Sequence, residues 1–196
     1  LDLPAYSIPA EGNDIYRCFV LPLQVPGGMW VDGIEFRAGN RKVVHHSLYF
    51  LDASGKAREN DRSDPEPGYA SLGGLGFIPM LSLGGWAPGT MPYRLPKGVA
   101  KPLPEGVDLV LQMHYHPSGK PEVDQSKIGI FFAKKRPKKR DIDLILGSVN
   151  IDIPAGEKEY RIQDALTLPV NSRLGLQLAR ALPLRQAGEA QSRYAY

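Results

Sequence analysis

Apolar and strand-forming residues fall in short runs of similar length, separated by turn residues. Tyr16–Leu23 is one such run, closed by Pro26-Gly27-Gly28. Met29–Phe36 alternates and stops at Ala38-Gly39-Asn40, and Lys42–Leu51 is closed by Asp52-Ala53-Ser54-Gly55. Val107–His116 and Lys127–Ala133 repeat the pattern across a polar stretch, 117–126. Asp143–Ile153 and Tyr160–Leu168 form a last pair around Pro154-Ala155-Gly156. Short runs bounded by Gly, Pro, Asn and Asp predict strands, and their regular spacing predicts an all-β sandwich.

Two stretches break the rhythm. Residues 58–106 are rich in Gly, Pro and Asp and carry the aromatics Tyr69, Phe77, Trp86 and Tyr93. A connection that long inside a compact domain is usually functional or disordered. Its aromatics predict long ordered loops packed on the sandwich, with Trp86 as an anchor; Tyr69 and Tyr93 carry no further signal. From about Asn171 the alternation fades, and Leu174–Ala187 has helix-favouring composition. The basic run 134–140 reads as a solvated linker and a domain boundary. The expected division is 1–136 and 137–196, the second part aberrant from about 171.

Composition adds bounds. The chain has 196 residues, 42% hydrophobic and 23% charged, with 21 Gly and 18 Pro. A net charge of +3 is too small to argue for a nucleic-acid partner. No apolar run approaches the roughly 20 residues of a membrane helix, and no signal-like region opens the chain, so it reads as an internal segment or a processed product. The single cysteine, Cys18, excludes an intramolecular disulfide and reads as a small buried hydrophobe.

The candidate chemistry is concentrated. All four histidines lie in two clusters, His45-His46 and His114-Tyr115-His116, both in predicted strands. Alternation puts His114 and His116 on one face and points Tyr115 and Met113 to the other, which predicts core packing for Met113. A regular strand would point His45 and His46 apart, so a shared metal requires the strand to bulge or end there. Imidazole suits copper, zinc, iron and nickel. Three histidines with an open position suit catalysis. Among carboxylates only Asp108 and Glu122 are placed near the clusters, so a zinc hydrolase with a His/Glu set is not signalled.

Three motifs together resemble a known family. They are Gly39-Asn40-Arg41-Lys42-Val43-Val44-His45-His46, Gly84-Gly85-Trp86-Ala87-Pro88-Gly89 and Leu111-Gln112-Met113-His114-Tyr115-His116-Pro117-Ser118-Gly119-Lys120. Over about residues 1–170 they look like the bacterial members of the copper type II, ascorbate-dependent monooxygenases, the family of the peptidylglycine alpha-hydroxylating and dopamine beta-monooxygenases. The resemblance implies two jelly-roll domains with one copper each, here a complete first domain and an incomplete second. The electron-transfer copper would be held by His45, His46 and His114. Gln112 would lie near that copper, and His116 would be a neighbour of the ligands or a further ligand.

It also implies O2, ascorbate or another reductant, a small-molecule substrate hydroxylated at C–H, and an extracytoplasmic or periplasmic location. The family's oxygen-activating copper uses a later His-X-His and a Met. Residues 171–196 contain neither His nor Met. The run Ala179-Arg180-Ala181-Leu182-Pro183-Leu184 matches an out-of-frame reading of a Pro-His-Ala-His-Tyr-Leu codon run. The expectation is therefore a copper-binding domain of a monooxygenase or, with the second site missing, a copper-binding module without catalysis.

Overall fold

The computed structural model describes residues 1–140 except 27, 72 and 73, together with 152–157, 159–161, 163 and 165. Its elements are β1 (Tyr6–Ile8), β2 (Ile15–Pro22), β3 (Met29–Arg37), β4 (Val44–Asp52), α1 (Lys56–Ser63), β5 (Tyr69–Ala70), β6 (Leu81–Trp86), β7 (Tyr93–Arg94), β8 (Val99–Leu103), β9 (Asp108–Tyr115), β10 (Glu122–Asp124), β11 (Lys127–Phe132) and β12 (Lys139–Arg140). The five runs predicted before residue 140 are β2, β3, β4, β9 and β11, each within two residues of its expected ends.

The result is an all-β sandwich. One sheet has the order β5-β2-β9-β4-β6. The other runs β11-β3-β8-β12, with β7 also on β3, and β1 pairs with β10 separately. Among the described residues, all strand pairings are antiparallel except β12 with β8. The core lies between the two sheets. Leu109, Leu111, Met113 and Tyr115 of β9 meet Val31, Ile34 and Phe36 of β3, with Leu103 and Ile128 from β8 and β11. Met113 is fully buried there, and Trp86 packs against Phe36 with ring centroids 5.3 Å apart.

Alternation then sends Val110, Gln112 and His114 of β9 to the sheet's outer face. At one end that face is covered by a small apolar cluster of Cys18, Ala57, Tyr69 and Val110 under α1. At the other end it carries the histidines.

Residues 58–106 are more ordered than their composition predicts: they include most of α1 and four strands. One of the glycines that suggested loops, Gly85, serves close strand approach instead. A Cβ on Gly85 would meet the Ser47 carbonyl oxygen at 2.8 Å and Leu48 Cδ2 at 2.7 Å. The helix was hidden because it buries only Ala57 and so shows no apolar stripe. Asp52 anchors its start, accepting hydrogen bonds from the amides of Ala57 (2.8 Å) and Ser54 (2.7 Å). The basic run has exposed lysines but ends in β12, so it is not linker throughout.

The chain divides into compact units at 1–143 and 144–196. In the second, the expected turn is present, with the Glu157 amide donating to the Pro154 carbonyl at 3.1 Å. The two strands expected around it fall largely outside the described residues, as does the expected helix at 174–187. No helix among the described residues is long and apolar enough to cross a membrane.

Two outcomes check this architecture. Leu111 is fully buried on the central strand of its sheet, so Leu111→Ala should lower unfolding free energy by about 2–5 kcal/mol in denaturant titrations. Burial pushes the Asp52 carboxyl up, but the Ser54 hydroxyl and the Ala57, Ser54 and Gly55 amides outweigh it and hold the group below its usual range. A depressed folded-state pKa stabilises the fold above the unfolded value, and that stability is lost as pH falls through the folded value. Unfolding free energy should therefore drop below about pH 4, the ordinary carboxylate range, and drop less steeply in Asp52→Asn.

Candidate metal centre

The site begins with a defect in strand pairing. Val44 lies opposite Tyr115, and His46 opposite His114, with a register shift between them. Two steps along β4 match one step along β9, so His45 is the extra residue of a β-bulge. Tyr115 faces the core and His114 faces out. The bulge lets Val44 follow Tyr115 inward while His46 follows His114 outward. The expected break in strand geometry at the His-His pair is thus present.

The Gly39-Asn40 turn fixes the bulge from outside. A Cβ on Gly39 would lie 2.5 Å from the Gln125 carbonyl oxygen, so a glycine lets the two chains touch. The Asn40 carbonyl accepts from the amides of Val43 (3.3 Å) and Val44 (3.1 Å). Its side-chain amide donates to Glu122 Oε2 at 2.9 Å, and its backbone amide donates to Asp124 Oδ1 at 2.8 Å. The His116 amide donates to the Val43 carbonyl at 2.8 Å and closes the bulge from β9.

The three histidines then converge. His45 Nδ1 lies 2.9 Å from His46 Nδ1, and His114 Nδ1 lies 3.1 Å from the same atom. One ring nitrogen of each can be chosen so that all three lie within 4.8 Å of one another, and the trio could hold a metal ion. His46 and His114 are each 3% exposed, while His45 is half-buried. A single Nδ1 on His46 carries either one proton or one lone pair. It cannot make a linear hydrogen bond in both contacts of a neutral trio, whereas a cation at the centre satisfies three lone pairs together. An ion bonded at about 2.0–2.1 Å, the usual zinc–imidazole distance, would see either close pair at about 90–100°.

The surroundings come from β2. Its register sets Tyr16 across from His114, and continuing it by one step sets Asp14 across from His116. The Tyr16 ring stacks on His114 with centroids 4.2 Å apart and 12° between planes, and meets His46 edge-on at 6.4 Å. Asp14 Oδ2 accepts from His114 Nε2 at 2.9 Å, and Oδ1 pairs with His116 Nδ1 at 2.7 Å. Burial pushes the Asp14 carboxyl up, but the hydrogen bonds from His116 and His114 outweigh it and hold the group below its usual range.

Asp14 is the residue that sequence reasoning missed, and it corrects the expectation that only Asp108 and Glu122 were the nearby carboxylates. Asp108 instead takes a paired interaction from Arg58 at 2.6 and 2.7 Å, and Glu122 holds Asn40. The signal for Asp14 lay in the β2–β9 register, which no local motif displays. His116 shares Asp14 with His114 and is largely exposed. Gln112 shares the outer face, where its side-chain amide donates to Ser71 Oγ at 2.7 Å. Cys18 is fully buried in the small cluster under α1.

The chain matches no family model and no curated protein. The reading of the site therefore rests on its geometry and donor chemistry.

If the trio holds an ion, His114→Ala should remove the binding that wild-type protein shows in Cu(II) and Zn(II) titrations. His116→Ala should keep one ion per chain with a smaller loss of affinity. Equal losses in the two variants would count against the three-histidine assignment.

Proposed function

We propose that residues 1–143 form the electron-delivering copper domain of a copper-dependent monooxygenase, a type that hydroxylates C–H bonds with O2 and a reductant such as ascorbate. One observation carries this reading: a bulge turns a consecutive histidine pair so that it meets His114 of the neighbouring strand. The donor set fits copper. It is made of imidazole nitrogens, without thiolate or carboxylate, and such sites bind Cu(II) more strongly than the other common divalent ions.

Bound copper would supply a one-electron carrier. His45, His46 and His114 would hold it as three nitrogen donors and leave further positions open, an arrangement that demands little movement between the two oxidation states. Tyr16 covers one face of His114 and excludes water there. Asp14 accepts a hydrogen bond from His114 Nε2–H, so that a neutral His114 presents Nδ1 as a lone pair. The jelly-roll connectivity, an extracytoplasmic location and a small-molecule substrate belong to the same reading.

A second reading is favoured by the distribution of donors. All four histidines and all four methionines precede residue 137, so the rest of the sequence has no His-X-His or Met for an oxygen-activating site. On this reading the 196 residues are a copper-binding module without oxygen chemistry of their own.

Titration with Cu(I) and Cu(II) tests both. One ion per chain, bound tighter than micromolar, with the Cu(II) resonance signal abolished by ascorbate, is the expected result. Binding no tighter than micromolar would end both copper readings. Oxygen uptake with ascorbate and a C–H substrate then decides between them: turnover supports the monooxygenase, and copper binding without turnover supports the module.

A further inference from the structure

Asp14 immediately precedes β2, whereas the histidines lie on β4, on β9 or directly after β9. Its two carboxylate oxygens serve two rings. Oδ2 lies 2.9 Å from Nε2 of His114, and Oδ1 lies 2.7 Å from Nδ1 of His116. The two rings differ in environment: the His114 side chain is 4% exposed and the His116 side chain 68%. The carboxylate therefore joins a buried member of the histidine trio to a ring at the surface.

A carboxylate accepts hydrogen bonds and, when ionised, donates none. Its contact with His114 Nε2 requires a proton on that nitrogen. In a neutral imidazole the other nitrogen then carries the lone pair, and here that nitrogen is Nδ1, the atom 3.1 Å from His46 Nδ1. Accepting the hydrogen bond from Nε2–H also raises the basicity of Nδ1 and fixes the ring's rotation. Tyr16, stacked on the same ring, blocks tilting out of that plane. His116 engages the second oxygen and so restrains the carboxylate itself.

We propose that Asp14 is the positioning residue of this centre: it selects the His114 tautomer that turns Nδ1 toward the other two histidines, with His116 as its outer anchor. The proposal rests on the metal reading of the same three histidines. It extends the centre from three residues to five and draws in a strand that supplies no ligand.

Two readouts test it, and only one needs metal. In metal-free protein at about pH 8, above the ordinary histidine pKa of about 6.5, nitrogen chemical shifts of labelled imidazoles report the tautomer. His114 should be the Nε2–H form in wild type. It should become a mixture or the Nδ1–H form in Asp14→Ala, and return toward Nε2–H in Asp14→Asn, whose amide oxygen still accepts. In Cu(II) titrations Asp14→Ala should lose about 10–100-fold in affinity, the range usual for removing an outer-shell partner. Its copper nitrogen hyperfine couplings should change, Asp14→Asn should recover part of the loss, and His116→Ala should lose less.

An Nδ1–H His114 in wild type overturns the proposal. So does an unchanged tautomer in Asp14→Ala, or an altered tautomer with affinity within twofold of wild type. If wild type binds no copper, the copper reading fails, and the tautomer measurements alone decide the role of Asp14. Thermal unfolding of each metal-free variant separates these effects from loss of the fold.

Discussion

The candidate centre depends on one extra residue in β4. Without the bulge at His45, the pairing of β4 with β9 would send either the valine or the second histidine to the wrong face. Val44 would leave the core, or His46 would enter it. The bulge reconciles two demands made by adjacent residues, apolar burial at Val44 and outward presentation at His46. A bulge leaves a residue outside the regular ladder, and the structure compensates around it. Asn40 binds the approach to β4 through its carbonyl and side chain, and His116 closes the far side through its backbone amide. Gly39 is needed because the Gln125 carbonyl occupies the space a side chain would take.

From that bulge outward, the centre is assembled by sheet pairing. β4 supplies two nitrogens, β9 the third, and β2 the residues that touch the third. Three contacts follow the pairing register or its continuation by one residue, His46 with His114, Tyr16 with His114 and Asp14 with His116, and the Asp14–His114 contact is the diagonal two residues away. This explains how the histidines can sit against a carboxylate and an aromatic ring without a dedicated loop. It also explains the electrostatic balance. Partial burial raises the Asp14 carboxyl, yet the two ring N–H groups more than offset it and keep the group below its ordinary range. The sheet geometry that brings the rings together also brings the charge that complements them.

How much was legible in the sequence follows from the range of each interaction. The β2, β3, β4, β9 and β11 runs were legible because alternation and turn residues are local. The irregularity at His45-His46 was legible because two adjacent outward histidines violate a period of two. Asp14 was not, because its role comes from pairing across 100 positions of chain to His114. Helix α1 was not, because it rests a nearly all-polar surface on the sheet through Ala57. The strands β6 and β8 were obscured by glycine and proline, residues that usually end strands and here permit close packing or lie toward an edge. The carboxylates chosen by proximity in sequence, Asp108 and Glu122, were engaged by Arg58 and Asn40.

The placement on the outer face has a further consequence. The space between the sheets is filled by close-packed apolar side chains, so polar rings facing inward there would have to displace them. On the outer face, α1 and its apolar cluster cover one end and leave the histidine end to be shielded by Tyr16 and the strands themselves. His46 and His114 are almost wholly buried by this arrangement, whereas His45 is only half-buried. The extra residue that completes the trio is therefore also its most accessible member. The bulge thus sets both the convergence of the three rings and which of them is most open to solvent, two properties that a regular strand could not place on one residue.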